Sequence, residues 1–464
     1  MNNKSTGNDR SLLLTAILAW LLIILRIPAS LGQSVSTETE RADSSVTNTF
    51  ISLCAALRDN YPMLENAGWN ESWVADFGAR VAAAPTRQAA FDIMDALVNR
   101  LNDYHTRLIL PHQHPQASPP CAVEPVFEGG SVLSDHADWE TRPTIEMPSL
   151  DGIAIAVIHA GNQTGLQPGD EILSVDGVPL AQCLSNAWPH SACSSAFGKL
   201  RVASGRMLRG SPRSEVKLEV RRQQTDGAVR TLTVAVSRIN SALEPAISSR
   251  EVDKTPVIRI SRWAGRGLVE QFDALLKQFR NRPALIIDVR GNGGGEDELA
   301  SQVVGRFISA QVIASISFHR QVPNLTFERT VEISDPRGPW RYAGRVAVLT
   351  DEGCMSACEH FVSGMVEAGA LICGTPTSGA CGWIRPVTLP GGLRLNVSET
   401  FPLHAGGLPS PLLGIAPHLW APRTLGDLRA GKDTGLLAAI QWLKSDAPLP
   451  ARLQPISTLG QSDR

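Results

Sequence analysis

The run Val346-Ala347-Val348-Leu349 has no polar side chain, and an apolar run bounded by turn residues reads as a buried strand. It breaks at Thr350-Asp351-Glu352-Gly353, after which apolar residues recur at helical spacing: Met355, Cys358, Phe361, Val362, Met365 and Val366. The same order recurs upstream. Val257-Ile258-Arg259-Ile260 reads as a strand, Leu268 to Phe279 as an amphipathic helix, and Ala284 to Val289 as a strand. A glycine-rich turn, Arg290 to Gly295, then leads into a helix from about Asp297 to Phe307. This alternation predicts an α/β layer with parallel pairing over residues 254–445.

Ser356 falls where a strand becomes a helix. Two readings stand side by side there. As an N-cap it would bond a first-turn amide. As a nucleophile it would place an attacked carbonyl against the free N–H groups and positive dipole end of the helix. The turn Gly291-Asn292-Gly293-Gly294-Gly295 lacks the Lys-Ser/Thr of a phosphate loop and the spacing of a dinucleotide fingerprint. Its glycines suit a different use, leaving backbone N–H groups unobstructed beside a reacting carbonyl.

Around this core the chain divides readily. Residues 1–32 carry Lys4 and Arg10, an apolar run from Leu12 to Leu25, and small residues Ser30 and Gly32, the layout of a signal peptide; an uncleaved anchor is the other reading. Export then allows disulfides, with Cys183–Cys193 and Cys373–Cys381 as candidate pairs among the eight cysteines. Residues 45–110 are helical in pattern and end in Asp103-Tyr104-His105-Thr106 before a strand-like Arg107–Leu110, so His105 lies at a helix-to-strand junction. Asn70 is formally a glycosylation acceptor. Residues 111–150, rich in Pro, His and Ser, read as a connector with little regular structure, and 447–464 as a disordered tail. Between them, 151–240 holds strands at 171–175, 216–220 and 231–236 and a tight turn at Asp176-Gly177, with Cys183 to Met207 irregular. A formal charge of −2 gives no pull toward nucleic acid.

The phrases DVRGNGGG at Asp288–Gly295, GCMSACE at Gly353–Glu359 and GTPTSGACG at Gly374–Gly382 resemble those of the C-terminal processing, or tail-specific, serine peptidases. The resemblance covers most of the mature chain. It implies a crotonase-like α/β peptidase core with an N-terminal helical region and an inserted PDZ-like β domain, the last suggested by TGLQPGDEILSVDGVPL at Thr164–Leu180. Where one branch of the family carries a lysine base, this chain reads Thr377-Ser378-Gly379-Ala380. Where the tricorn-core and retinoid-binding-protein branch carries a histidine, it has His105.

The implied chemistry is acyl transfer: Ser356 attacks, His105 takes and returns its proton, and the amides of Gly294 and Ala357 hold the oxyanion. The family's acid near a GxxPD phrase is missing, since the chain reads Gly414-Ile415-Ala416-Pro417-His418, which leaves Glu399 as the nearest downstream carboxylate. The expectation is an exported endopeptidase acting on unfolded or C-terminally exposed polypeptides, its PDZ-like domain holding a peptide C-terminus, with no metal or organic cofactor, no nucleic acid and no lasting membrane span. The alternative is an impaired relative that binds peptides or a small apolar ligand.

Overall fold

A computed structural model describes residues 37–65, 67–110, 116–127, 150, 153–162, 164–193, 195–239, 244–321, 326–404 and 414–449. The signal-peptide and tail expectations fall outside these residues, except for Ala447–Leu449. Among the described residues no helix is long and apolar enough to cross a membrane.

Three helices come first: α1 (Thr37–Asn60), α2 (Glu71–Ala82) and α3 (Arg87–Asn99). Asn70 caps α2, its Oδ1 accepting the Trp73 amide at 3.0 Å, which gives the formal glycosylation site a structural role. The helices bury Leu53, Leu57, Phe77, Phe91, Met94 and Leu97 against the short strand β1 (Arg107–Ile109).

The next unit is a sheet with two helices. In chain order it holds β2 (Cys121–Phe127), β3 (Ile153–Ala160), β4 (Glu171–Val175), β5 (Val178–Pro179), α4 (Leu180–Ala187), α5 (Ala196–Arg206), β6 (Glu215–Gln223) and β7 (Val229–Ser237). The strand order is β2-β3-β4-β6-β7, with β5 on β4. Two expectations are corrected here. The supposed connector contributes β2, whose Pro125 hid its apolar alternation; as the sheet's edge strand, β2 tolerates a proline. The supposedly irregular stretch from Cys183 to Met207 holds most of α4 and all of α5, the latter capped by Ser195, whose Oγ accepts the Gly198 amide at 3.1 Å.

The core follows with β8 (Ile247–Val252), β9 (Thr255–Ile260), α6 (Leu268–Gln278), β10 (Ala284–Asp288), α7 (Asp297–Val304), β11 (Val312–Gln321), β12 (Thr326–Ser334), β13 (Arg345–Thr350), α8 (Ala357–Glu367) and β14 (Leu371–Gly374). It closes with β15 (Ile384–Thr388), β16 (Arg394–Ser398), β17 (Thr400–His404), β18 (Leu419–Trp420), α9 (Leu425–Arg429) and α10 (Thr434–Lys444). Its main sheet runs β18-β14-β13-β10-β9-β8, with all pairs parallel except β8 on β9. The apolar runs of the sequence are explained by cover on both faces. Leu285 and Ile287 face a cluster with Phe272 and Phe361, while Ile286 faces Leu436 and Ile440 of α10. Two small sheets, β1-β16-β15 and β12-β11-β17, complete the fold. The first of them joins the helical region to the core, since Leu108 pairs with Leu395.

Candidate active site

Ser356 precedes α8 at φ 55° and ψ −127°, a conformation that L-residues adopt only under constraint. Its side chain makes no cap hydrogen bond, so the N-cap reading is set aside. The constraint comes from bonds on both sides: the Ser356 amide donates to Ala380 O at 2.8 Å, and the Ser356 carbonyl accepts the amides of Glu359 (2.7 Å) and His360 (3.2 Å). With Cys358 bonded to Met355 O, Ala357 has the one first-turn amide without an acceptor among the described residues.

The glycine turn lies directly against this junction. Met355 N donates to Asn292 O at 3.0 Å, and Asn292, wholly buried, donates from Nδ2 to Ile260 O. Gly294 has φ 97°, and a Cβ added there would meet Ser356 Cβ at 2.7 Å and Met355 O at 2.8 Å, so glycine is required for the approach. Its amide, however, donates to Asn292 Oδ1 at 2.9 Å. The Gly294 N–H is thus engaged, unlike that of Ala357.

His105 is buried, and its Nδ1 has no hydrogen-bond partner. Its amide donates to Asp103 Oδ1 at 2.9 Å, and Thr106 Oγ1 donates to Asp103 Oδ2 at 2.6 Å. Burial pushes the imidazole pKa below its ordinary value, with the charge of Asp103 opposing the shift and Arg107 adding to it. The path from His105 to Ser356 is short in contacts. Thr106 Oγ1 accepts the Ser398 amide at 3.0 Å, Ser398 Oγ reaches Cys381 O at 3.4 Å, and Cys381 Sγ reaches Ser356 O at 3.6 Å. No hydrogen bond joins the imidazole to Ser356 Oγ among the described residues.

Glu399 stands elsewhere: its Oε2 accepts Arg385 Nε at 2.5 Å, and it does not fill His105 Nδ1. Sequence reasoning missed two nearer acids. Asp103 fixes the loop of His105, and its place two residues ahead of a candidate base was the available signal. Glu359, fully buried, accepts Thr377 Oγ1 at 2.5 Å, Gly379 N at 2.8 Å and Cys381 Sγ at 3.1 Å. Burial lifts its carboxyl to about 7 despite these donors. The segment that lacks the lysine is therefore the one that wraps Glu359. The Gly414–His418 phrase is structural, with the Ile415 amide donating to Thr377 Oγ1 and the Ile372 amide to His418 Nδ1. No disulfide joins any of the eight cysteines, which corrects the proposed pairs. Cys373 Sγ instead contacts Gly435 O at 3.4 Å, and Cys381 Sγ contacts Glu359.

A serine on a strained strand-to-helix turn beside a glycine loop is the arrangement that serine-type peptidases of α/β fold use. Residues 254–419 match the model of peptidase family S41, which supports a serine-type peptidase. The chain is 25% identical over 376 residues to the carboxyl-terminal-processing protease of Picosynechococcus sp. (strain ATCC 27264 / PCC 7002 / PR-6), covering 78% of this chain and 80% of that protein. In fold it resembles mature CPAF, with a TM-score of 0.66 at 16% identity over 88% of this chain and 99% of the other. It also resembles the photosystem II D1 C-terminal processing protease, with a TM-score of 0.51 at 16% identity over 90% and 100%.

Proposed function

We propose that the chain is an exported endopeptidase that cuts unfolded or C-terminally exposed polypeptides through an acyl-enzyme on Ser356, with His105 as general base. The observation that carries the reading is the Ser356 junction itself: a strained serine whose hydroxyl caps nothing, next to an unspent Ala357 amide. A carbonyl attacked there would place its oxyanion at the Ala357 N–H. Gly294 joins as second donor once its amide leaves Asn292, a rearrangement that bound substrate can drive.

His105 suits the base role because its lowered pKa keeps it neutral at neutral pH, ready to accept a proton. Substrate closure would bring it to Ser356 Oγ. Its open Nδ1 leaves room for an orienting acid, and Glu399 could serve only by releasing Arg385. The PDZ-like role of the sheet unit, residues 121–237, in holding a peptide C-terminus belongs to the same reading.

The test is labelling with a fluorophosphonate probe. Wild type is expected to react, and Ser356→Ala not at all. His105→Ala should fold but react and turn over about 100-fold to 10,000-fold more slowly. If the folded wild type takes no label and cleaves no unfolded polypeptide, the hydrolase reading fails and a peptide-binding relative is the better account.

A further inference from the structure

A small open cleft lies beside Ser356 and is lined on its other sides by Asp297, Ser315, Ser317, Glu332, His360 and Trp383 among others. Resting on the peptidase reading above, we propose that this cleft receives the side chain of the substrate residue whose carbonyl Ser356 attacks, and that it selects Lys or Arg there.

The depth of the cleft is written into β11. Ser315 and Ser317 lie two apart and so share one face of the strand, and both are buried; larger residues at those positions would fill the space. Its charge comes from the neighbouring strand and helix. Glu332, opposite Ser315 in the β11–β12 register, accepts Ser315 Oγ at 2.5 Å, His360 Nδ1 at 3.0 Å and Trp383 Nε1 at 3.1 Å. Burial alone would raise its carboxyl, but these donors bring it down to about 2, so it is ionised. Asp297, in the first turn of α7, makes no hydrogen bond or ion pair among the described residues. It keeps an exposed surface, yet desolvation by the cleft wall and repulsion from Glu332 raise its pKa. No Lys or Arg is among the residues lining the cleft. An entering ammonium or guanidinium would meet the carboxyl groups of Glu332 and Asp297 with no Lys or Arg beside them, and Trp383 offers its ring to the aliphatic stem.

The order Ser301, His360, Glu332 imitates a second catalytic relay, with Ser301 Oγ 2.9 Å from His360 Nε2. Ser301 lies inside α7, where the backbone amides are spent on helix bonds, so no oxyanion site faces it. The relay instead fixes His360 and, through it, Glu332.

The experiment compares peptides that differ only at the residue before the cut: Lys, Arg, norleucine, Ala and Glu. Wild type is expected to favour Lys and Arg over norleucine by about tenfold or more in kcat/KM, the range of a hydrogen bond to a charged group. Asp297→Asn should shrink that ratio severalfold and Asp297→Lys should shift preference toward Glu. Equal turnover of norleucine and Lys by a labelled, active wild type overturns this inference and leaves the peptidase reading intact. A preference located on the other side of the cut, or unmoved in both Asp297 variants, overturns it as well. Absence of both labelling and turnover removes the inference together with the reading on which it rests.

Discussion

His105 and Glu352 show how burial sets proton affinity in this chain, and they do so with opposite signs. His105 is desolvated in its neutral form, so the acid limb of kcat/KM should have its midpoint below the ordinary histidine value of 6.5. In folding terms the unfolded chain accepts a proton at this site that the folded chain resists. His105 therefore costs stability as pH falls through 6.5, until its lowered folded value is passed. Glu352 is lifted to about 8, by burial first and by the charge of Asp351 second, and its Oε1 has no partner. Here the folded chain keeps a proton that the unfolded chain releases, so stability falls as pH rises from 4.5 through 8. Glu352→Gln is expected to remove that loss and to stabilise the protein at pH 9 by about 1 kcal/mol or more, with little change at pH 5. Urea denaturation of both forms at the two pH values checks it.

Single elements carry the next level. Ser356, the glycine loop and the buried strands were legible in the sequence because each depends on neighbours a few residues away: an apolar run, a turn, a helical period. Gly294→Ala should leave secondary structure intact and reduce labelling of Ser356 by about 100-fold or more, since its Cβ would occupy the space at Ser356 Cβ. Near-wild-type labelling would show that the loop does not bear on the nucleophile. Asn70→Ala, by contrast, should cost about 1 kcal/mol of stability through the lost cap on α2, with kcat/KM unaffected. The elements that escaped the sequence reading have equally local causes. Pro125 interrupts the pattern of β2 at a sheet edge, and the small polar residues of α4 and α5 blur their helical stripe.

Across the whole molecule, the sheet unit is pinned to the site by buried charge. Arg201 of α5 bonds Asp351 at 2.8 Å and Glu124 of β2 at 2.5 Å, and Arg423 reaches Glu124 at 2.6 Å. Asp351 Oδ1 in turn accepts the amides of Gly291 at 2.6 Å and Gly353 at 3.0 Å, one from each loop that flanks Ser356. Arg201→Met leaves both buried carboxylates to Arg423 alone, 3.7 Å from Asp351, and is expected to cost about 3 kcal/mol and to slow labelling of Ser356. Adding Asp351→Asn should recover part of the stability, and a double-mutant cycle by chemical denaturation measures the coupling. Sequence alone determined the α/β core, the strand-to-helix junction at Ser356 and the glycine turn beside it, because those follow from periodicity and local sterics. Only the tertiary structure decided that Glu399 belongs to Arg385, that Asp103 holds the loop of His105, and that Glu332 and Asp297 share a cleft with Ser356. The first and last of those relations join segments 14 or more residues apart, which no local pattern pairs, while the second spans only two residues but rests on side-chain bonds that no periodicity encodes.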